Sequence, residues 1–460
     1  MSRIILFITF LSLTVGVHAQ DSLKISLGVT TFNAQEVVLN REIPWDLVWG
    51  DDNGLWFTEK RGTINRFDPE TGYVNEIVRL SDVYVSPKEN AGMHSMCFHP
   101  NWPDSSFLYV HYVNSPTSSK LVRLEIDQVK QKVLTSKIIF DDLIAARSHN
   151  GSRMTVDASN NILFSIGDAY LFDPAQDLKS KNGKVLRFTP WGSIPKDNPF
   201  PDSYVWSYGH RNPQGLVFGE NGILYSSEHG PTTDDEINII RKGGNYGWPS
   251  VNGFCDLTSE KSFCEKNEVV EPIWAFTPTA APSGLTYYSG DYFPEFNNHL
   301  LQCFLKGKAL CSAELSEDGE SVLDMVTYFE NDYLRLRDVE RAADGSLYIA
   351  TSNIEKTLPQ TKENDDKIIH ITSLEKEGEE SVFYSIESEG RYLKVKVANL
   401  KEECDIRITT FYGGVLRELS LSTDSRGVLN YSFDKAGVYW LKLIQKGRIV
   451  SKMIRVDAVN

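Results

Sequence analysis

Short apolar segments separated by turns recur along most of the chain. In six stretches a turn leads into a short apolar or alternating segment, and a second segment follows that carries a basic residue. These stretches begin as DDNGLWFTEKRGTINRF, DSSFLYVHYV, SNNILFSIGD, GENGILYSSEHG, FNNHLLQCFLKGKALCSAEL and AADGSLYIATSN. Asn-Gly and Asp-Gly pairs are typical of tight turns between antiparallel strands. The pattern therefore predicts an all-β chain with very little helix.

The spacing of these stretches indicates how the strands are organised. They start roughly 45 to 80 residues apart, as the blades of a β-propeller do. A propeller surrounds a central channel, and long loops on one of its faces usually build the functional site. We therefore predict a six-bladed β-propeller over residues 25–374. A long array of β-sandwiches is the alternative.

The pattern changes at the charged segment TSLEKEGEESV, residues 372–382. Beyond it lie YLKVKVANL, CDIRITTFYGG and AGVYWLKLIQKGRIVSKMIRV, which alternate apolar and polar residues between glycine turns. This alternation is typical of half-buried strands. We therefore predict a separate small β-sandwich over residues 381–460.

The chain of 460 residues carries a formal net charge of −15. We therefore expect no nucleic acid as a partner, and an anionic ligand would need its own cluster of cations. Residues 1–19, MSRIILFITFLSLTVGVHA, have the form of a signal peptide. We expect cleavage after Ala19 and export to the periplasm, cell surface or medium. A membrane anchor is the alternative, but the apolar run is too short, and we expect no membrane insertion.

Six cysteines are present, and export permits disulfides. Cys255 and Cys264 flank a short polar loop and are the best candidate pair. Cys303 and Cys311 flank the turn FLKGKAL and are a second candidate pair across a hairpin. Buried free thiols are the alternative for each pair.

Four basic residues lie within the predicted blade repeats of this acidic chain. Arg211 lies in GHRNPQGL, Lys306 in FLKGK, and Arg335 and Arg337 in YLRLRDV. The two arginines are at strand spacing and point to the same side. If the four converge on the channel mouth, they would suit a ligand with several carboxylates or phosphates. Surface salt bridges are the alternative, and the chain has no glycine-rich phosphate loop.

Two further features bear on chemistry. His149, in RSHNGSRM, directly precedes a predicted strand, and as a neutral imidazole it could take a proton from a hydroxyl. The alternative is a loop histidine bonded to backbone. The acidic turn SEHGPTTDDEIN lacks the spacing of an EF-hand. It could hold calcium through turn carbonyls and carboxylates, or it could be a solvated turn.

Several of these motifs together resemble a known family. HNGSRM, GHRNPQGL, SEHGPTTDDEIN, GGNYGWP, PTAAPSGLTYYSGDYFP and RLRDV, in this order, are similar to the soluble quinoprotein sugar dehydrogenases. These are the glucose or aldose dehydrogenases of the glucose/sorbosone dehydrogenase family, which depend on pyrroloquinoline quinone (PQQ). The resemblance extends from about Pro44 to Thr372. It implies a six-bladed propeller that oxidises an aldose to a lactone by hydride transfer to PQQ and passes electrons to an external acceptor.

The resemblance also implies roles for individual residues. His149 would be the general base, Asp168 would shape the site by orienting either the local backbone or His149, and Arg211 would stabilise charge on the quinone. The implied contacts to the cofactor are Arg211, Asn212, Thr279, Lys306, Arg335 and Arg337. The implied calcium ligands are the carbonyls of Gly230 and Pro231, with a second calcium near Asn252, Phe254 and Asp256.

The chain also departs from the family pattern. In NAGMHSMCFHP, Asn90 replaces a Gln or Glu near the substrate, and His94 and Ser95 replace a Leu and a Gly. Tyr170, in AYLFDPAQ, lies where the family has a different sequence. We therefore expect Asn90 and Tyr170 to contact the substrate and the substrate preference to differ.

Two classes of function compete with the dehydrogenase. One is a propeller without catalysis that binds a carbohydrate or protein, and the other is a calcium-dependent lactone hydrolase. Neither requires four cations together with His149, and so the dehydrogenase is favoured. The C-terminal KAGVYWLKLIQKGRIVSKMIRV resembles the sorting domains of the type IX secretion system, which implies a secretion machinery as partner. A generic accessory sandwich is the alternative there.

Overall fold

The computed structural model describes most of the chain. The described residues are 23–27, 30–86, 89–127, 130, 132–354, 365–374, 383–389, 391–398, 403–410, 414–422, 427–445 and 448–456. The predicted signal peptide lies outside them. Within them the chain is almost entirely β-structure, with one α-helix, α1 (Thr258–Asn267). No helix in this part of the chain is long and apolar enough to cross a membrane. The all-β prediction is confirmed.

The strands, in chain order, fall into successive sheets. The N-terminal strands and the next three sets of four are β1 (Leu23–Leu27), β2 (Thr30–Arg41); β3 (Pro44–Trp49), β4 (Leu55–Glu59), β5 (Thr63–Phe67), β6 (Val74–Arg79); β7 (Met93–Phe98), β8 (Phe107–Ser115), β9 (Ser118–Asp127), β10 (Lys132–Ile144); β11 (Arg153–Val156), β12 (Ile162–Ile166), β13 (Lys184–Phe188), β14 (Val205–Tyr208). The following strands are β15 (Pro213–Phe218), β16 (Leu224–Glu228), β17 (Asp235–Ile239), β18 (Trp274–Phe276); β19 (Pro282–Tyr288), β20 (His299–Phe304), β21 (Ala309–Leu315), β22 (Val322–Tyr328); β23 (Leu336–Arg341), β24 (Leu347–Thr351), β25 (Asp366–Leu374).

The first strand of each set lines the centre of the molecule. β3 contacts β7, and the contacts continue through β11, β15, β19 and β23 back to β3, which closes a ring. Strand β2 pairs with β25, so the N-terminal strands complete the last sheet. This is the arrangement of a β-propeller, as predicted. Five sheets of four or five strands stand separately, whereas the sheet of β19–β22 continues into C-terminal strands.

The apolar core lies between neighbouring sheets. One cluster joins Trp56 and Ile64 of the β3–β6 sheet to Met93 and Leu108 of the next. Each propeller sheet is covered on both faces by the neighbouring sheets. The strands of each sheet that lie near the centre are therefore buried on both sides. This explains why many of these segments are continuously apolar. The packing also fixes the ends of the inner strands, where the functional loops begin.

The C-terminal strands are β26 (Phe383–Glu389), β27 (Tyr392–Ala398), β28 (Cys404–Thr410), β29 (Val415–Leu421), β30 (Gly427–Ser432), β31 (Gly437–Gln445) and β32 (Arg448–Val456). β26, β27 and β30 form a three-stranded sheet, and the other four extend the β19–β22 sheet. The two layers share an apolar cluster. β32 pairs with β22, and Lys442 and Lys452 form ion pairs with Glu330 and Asp324, each at 2.6 Å. The unit is thus docked on the propeller, and its status as a separate sorting domain stays a prediction.

One of the two predicted disulfides is present. Cys255 and Cys264 are bonded. The Cys303–Cys311 prediction is wrong, because both thiols are free and buried. Cys303 pairs in register with Leu310, not Cys311, so the two cysteines point to opposite faces of their sheet. They accordingly belong to different apolar clusters.

Candidate active site

A cavity of about 790 Å³ opens at the N-terminal ends of the inner strands. Its lining comes from the loops that precede β7, β11, β15, β19 and β23, from the turns that follow β12, β16 and β20, and from the first residues of β15 and β23. It brings together most of the residues that the sequence predicted for the site. The predicted residues in the lining are Asn90, His149, Tyr170, Asn212, Lys306, Arg335 and Arg337. The other lining residues are Glu89, Arg147, Ser148, Gln214, His229, Ala281 and Leu305.

His149 lies on a tight turn just before β11. It adopts a left-handed backbone with φ of 62°, followed by Gly151 and Ser152 with φ of 61° and 92°. The turn packs closely on the end of β12, since a Cβ on Gly167 would lie 2.2 Å from the carbonyl oxygen of His149. A non-glycine residue in this region is uncommon and is often found at functional sites. The turn therefore directs the imidazole at the cavity.

Asp168 holds the imidazole in one orientation. His149 Nδ1 lies 2.9 Å from Asp168 Oδ1, and Trp248 Nε1 donates to Asp168 Oδ2 at 2.8 Å. The aspartate is fully buried. A carboxylate only accepts hydrogen bonds, so His149 Nδ1 carries the hydrogen and Nε2 is left as the base. The predicted orienting role of Asp168 fits this geometry.

The surroundings of His149 keep it neutral. Burial lowers its pKa below the usual value, the hydrogen bond to Asp168 works in the opposite direction, and the nearby Arg211 charge lowers the pKa further. Tyr170 stacks on the imidazole with ring centroids 3.7 Å apart. The tyrosine is 41% exposed, and the Arg147 guanidinium lies 5.8 Å from its ring centroid. A neutral, oriented imidazole at the cavity wall is suited to accept a proton.

Arg211 lies behind His149, outside the lining of the main cavity. Its Nη1 donates to the carbonyl of His229 at 2.9 Å, and its guanidinium lies 5.2 Å from the Trp248 ring centroid. Its Nε is buried and has no hydrogen-bond partner among the described residues. Burial lowers the pKa of Arg211. A buried donor of this kind costs free energy unless a ligand satisfies it.

The remaining predicted cofactor contacts surround the cavity. Arg335 donates from Nε to the Ser352 carbonyl at 3.0 Å, and Arg337 donates from Nη1 to Gln214 Oε1 at 2.8 Å. Lys306 Nζ donates to Thr279 Oγ1 at 2.8 Å. Thr279 thus lies beside the cavity and contacts it through Lys306. The side-chain oxygen of Asn212 accepts from Gly151 N at 3.0 Å and ties β15 to the His149 turn.

The two carbonyls predicted to bind calcium, those of Gly230 and Pro231, lie on the loop after β16. Gly230 N donates to Asp235 Oδ1 at 2.8 Å, and a Cβ on Gly230 would lie 2.0 Å from the Thr233 carbonyl oxygen. Asp256 is exposed on the loop before α1. Among the described residues, no three His, Cys, Asp or Glu side chains form a group that could hold a metal ion. Calcium at this loop would therefore depend on backbone carbonyls and on the bound ligand.

Three supporting residues were missed by sequence reasoning. Glu228 is buried at the end of β16, and its Oε1 accepts from the backbone N of Arg211 and of Asn212. Trp248 binds Asp168, and Gln214 orients Arg337. Trp248 and Gln214 stand inside the motifs GGNYGWP and GHRNPQGL, so the motifs marked them without their roles. Glu228 likewise stands in the motif SEHGPTTDDEIN, which was interpreted as a calcium-binding or solvated turn, so its role as an acceptor for the backbone was missed.

Comparisons with known proteins indicate the family of the chain. A sequence profile described as Glucose / Sorbosone dehydrogenase matches residues 41–359. Quinoprotein glucose dehydrogenase B of Acinetobacter calcoaceticus is 29% identical, over 74% of this chain and 91% of that protein. Aldose sugar dehydrogenase YliI of Escherichia coli K12 is 29% identical, over 70% of this chain and 90% of its own.

A solved structure is similar to this chain in its fold. The PQQ-bound form of aldose sugar dehydrogenase from Streptomyces coelicolor superposes with a TM-score of 0.65 at 28% identity. The match covers 75% of this chain and 98% of that one.

Proposed function

The chain belongs to the glucose/sorbosone dehydrogenase family, and we propose that it is an exported PQQ-dependent dehydrogenase that oxidises an aldose to a lactone at the anomeric carbon. The observation that carries the proposal is the charge of the cavity. Its lining contains Arg147, Lys306, Arg335 and Arg337 against one acid, Glu89. In a chain with net charge −15, such a cluster indicates a multiply anionic ligand.

PQQ fits this set of groups. It is a planar tricarboxylate, and arginine forks bind planar carboxylates well. We propose that Lys306, Arg335 and Arg337 hold the carboxylates, with Thr279 supporting Lys306 and Asn212 lining the site. The buried, unpartnered Nε of Arg211 would donate to the quinone and stabilise negative charge there. When bound, PQQ would accept the hydride that leaves the anomeric carbon.

The protein's own residues would control the proton. We propose that His149 Nε2 takes the proton of the anomeric hydroxyl, because Nδ1 is engaged by Asp168 at 2.9 Å. The Asp168 carboxylate would then stabilise the imidazolium. Tyr170 and Asn90, at the rim, would contact the sugar. Loss of the proton and the hydride would leave a carbonyl at the anomeric carbon, which makes the product a lactone. The electrons would then pass on to an external acceptor.

Calcium belongs to this proposal as a bridge between protein and cofactor. The Gly230 and Pro231 carbonyls would bind it, and Asp256 stays a candidate for a second ion. Removal of calcium with a chelator should abolish turnover, and added Ca²⁺ should restore it. Gly230→Ala should prevent this recovery, because its Cβ would clash with the loop backbone at 2.0 Å. Full turnover after complete chelation would contradict the role of calcium.

We also propose to count β19–β22 as a sixth blade. The ring of contacts among six inner strands supports that count, although the β19–β22 sheet continues into the C-terminal strands. The catalytic propeller would then span residues 25–374, with the unit at 381–460 acting in secretion.

The experiment is reconstitution of the purified chain with PQQ and Ca²⁺, followed by dye reduction over a panel of aldoses. We expect turnover with at least one aldose and none without PQQ. Absence of turnover with every aldose would contradict the proposed function. Hydrolysis of a lactone without PQQ would favour the hydrolase instead.

A further inference from the structure

A buried histidine pair lies beneath the cavity, outside the proposed catalytic groups. His94 on β7 and His111 on β8 are both fully buried. Their Nδ1 atoms are 3.4 Å apart, and their rings are tilted by 34°. The pairing of β7 with β8 is irregular between Met93 and Met96, and His94 lies within this irregularity.

The direction of the hydrogen bonds follows from one contact. His94 Nε2 lies 2.7 Å from the carbonyl oxygen of Asn90, which only accepts, so Nε2 carries the hydrogen. Nδ1 of a neutral His94 is then an acceptor that faces His111 Nδ1. His111 Nε2 lies 3.0 Å from the hydroxyl of Ser119, which can donate to it. Every ring nitrogen of the pair is therefore used while both rings are neutral.

The pair also reaches the turn that carries His149. His111 Nδ1 lies 3.0 Å from Ser152 Oγ, and Ser95 Oγ lies 2.7 Å from the same atom. Ser152 is the last residue of that turn and has a φ of 92°. A side-chain anchor helps to hold a backbone in such a strained conformation.

Two walls of the cavity are thus linked through one buried chain of contacts. Asn90 lies on the first wall, and the His149 turn forms the second. The backbone N of Asn90 also donates to the Arg147 carbonyl at 3.0 Å, two residues before His149. This second link joins the same two segments.

We propose that His94 is a positioning residue that, with His111 and Ser152, fixes Asn90 relative to His149 and thereby sets the fit of the sugar. The inference rests on the proposed function. It assigns His94 to substrate fit and leaves the cofactor cations and the proton transfer to other residues.

Two substitutions at His94 separate this role from simple packing. His94→Leu keeps a similar volume but removes the donor to Asn90, whereas His94→Gln retains an amide N–H near the position of Nε2. We expect His94→Leu to raise KM for the sugar about tenfold, as the loss of one buried hydrogen bond would, with kcat and PQQ affinity within about twofold. His94→Gln should return KM to within about threefold of the wild type. His299→Leu, outside the cavity lining, is the matched control and should leave KM unchanged.

A second readout does not need the cofactor. Hydrogen–deuterium exchange of the protein without PQQ should speed up at residues 89–95 and 149–153 in His94→Leu, and return toward wild type in His94→Gln. Ser152→Ala should loosen the 149–153 segment in the same way, which keeps the test available if His94→Leu does not fold.

The outcomes separate the two claims. If the wild type oxidises no aldose, the proposed function fails, while the exchange experiment still tests the link. Unchanged KM together with unchanged exchange in His94→Leu would overturn the inference. A lower kcat, a higher KM and a weaker PQQ affinity in His94→Leu, with no rescue by His94→Gln, would also overturn it. That combination is the result of general packing damage.

Discussion

The two mouths of the central channel are built on the same inner strands but are lined by ionisable side chains of opposite kinds. The mouth at the N-terminal ends of the strands is lined by four cations and one acid. The mouth at the C-terminal ends is a cavity of about 380 Å³ lined by one cation, Arg153, and four acids, Asp46, Asp51, Asp338 and Glu340. The repeated strands thus supply the frame, and the residues at each strand end decide what each mouth can bind.

The contacts of the arginines show the same difference. At the acidic mouth, Arg153 bonds with the carboxylates of Asp46 and Asp338, the latter at 2.9 Å. At the cationic mouth, Arg337 donates to the neutral amide oxygen of Gln214. Gln214 separates the two, since its backbone carbonyl accepts from Arg153 Nε at 3.0 Å. An internal ion pair fixes the frame at one end. At the other end a neutral partner orients Arg337, while the exposed Arg147 lies 3.6 Å from the carboxylate of Glu89.

The largest expected effect comes from the histidines of the two mouths. His149→Ala should lower turnover by about 10²–10⁴-fold, because it removes the proposed general base, while PQQ binding changes little. His99→Ala, in the lining of the acidic mouth, should leave turnover near the wild-type value. Steady-state dye reduction and PQQ titration measure both variants. Equal losses in the two variants would remove the functional distinction between the mouths.

The cations of the site should matter for binding rather than turnover. Lys306→Ala and Arg335→Ala should each weaken PQQ binding by about 10–100-fold, since each removes a charged hydrogen-bond donor. Glu340→Gln at the acidic mouth should not change the dissociation constant. Equilibrium titration of PQQ at saturating Ca²⁺ measures all three. If the Glu340 variant weakens PQQ binding as much as the Lys306 variant, the claim that PQQ binds at the cationic mouth is contradicted.

The pH dependence of catalysis should follow His149. Because its pKa is lowered from the usual 6.5, the base stays neutral as pH falls through that value, and kcat/KM should decline only at lower pH. Asp168 raises this pKa, so Asp168→Asn should move the acid limb further down and also lower the rate. A pH–rate series on the two proteins measures the shift. An acid limb that moves to higher pH in Asp168→Asn would contradict the assignment.

The smallest effect is expected on stability at the acidic mouth. Burial raises the pKa of Glu340 to about 8, above the usual 4.5. The folded state then holds a proton that the unfolded state has lost, so this residue lowers stability as pH rises from about 4.5 to 8. In Glu340→Gln, the melting temperature should fall less over that window than in the wild type. Identical pH profiles of the melting temperature would show that Glu340 ionises normally.

The strand pattern made the propeller predictable, because each unit repeats the same alternation between turns. It did not predict that β32 would pair with β22, since one edge strand offers the same hydrogen bonds to any partner. The Cys303–Cys311 prediction failed for a local reason, because spacing alone does not reveal which face a strand residue occupies. His149, Arg335 and Arg337 were found because they stand beside recognisable turns and strands. Glu228 and the His94–His111 pair act through buried contacts between distant segments, which only the folded chain reveals.

The most direct test of the account is a single-turnover measurement on the wild type loaded with one equivalent of PQQ and with Ca²⁺. An aldose that supports dye reduction is added without an external acceptor, and the absorbance of bound PQQ is followed. We predict rapid conversion to the reduced form, and a conversion in His149→Ala slower by the same factor as its turnover. PQQ that binds but keeps its oxidised absorbance with every aldose would contradict the account.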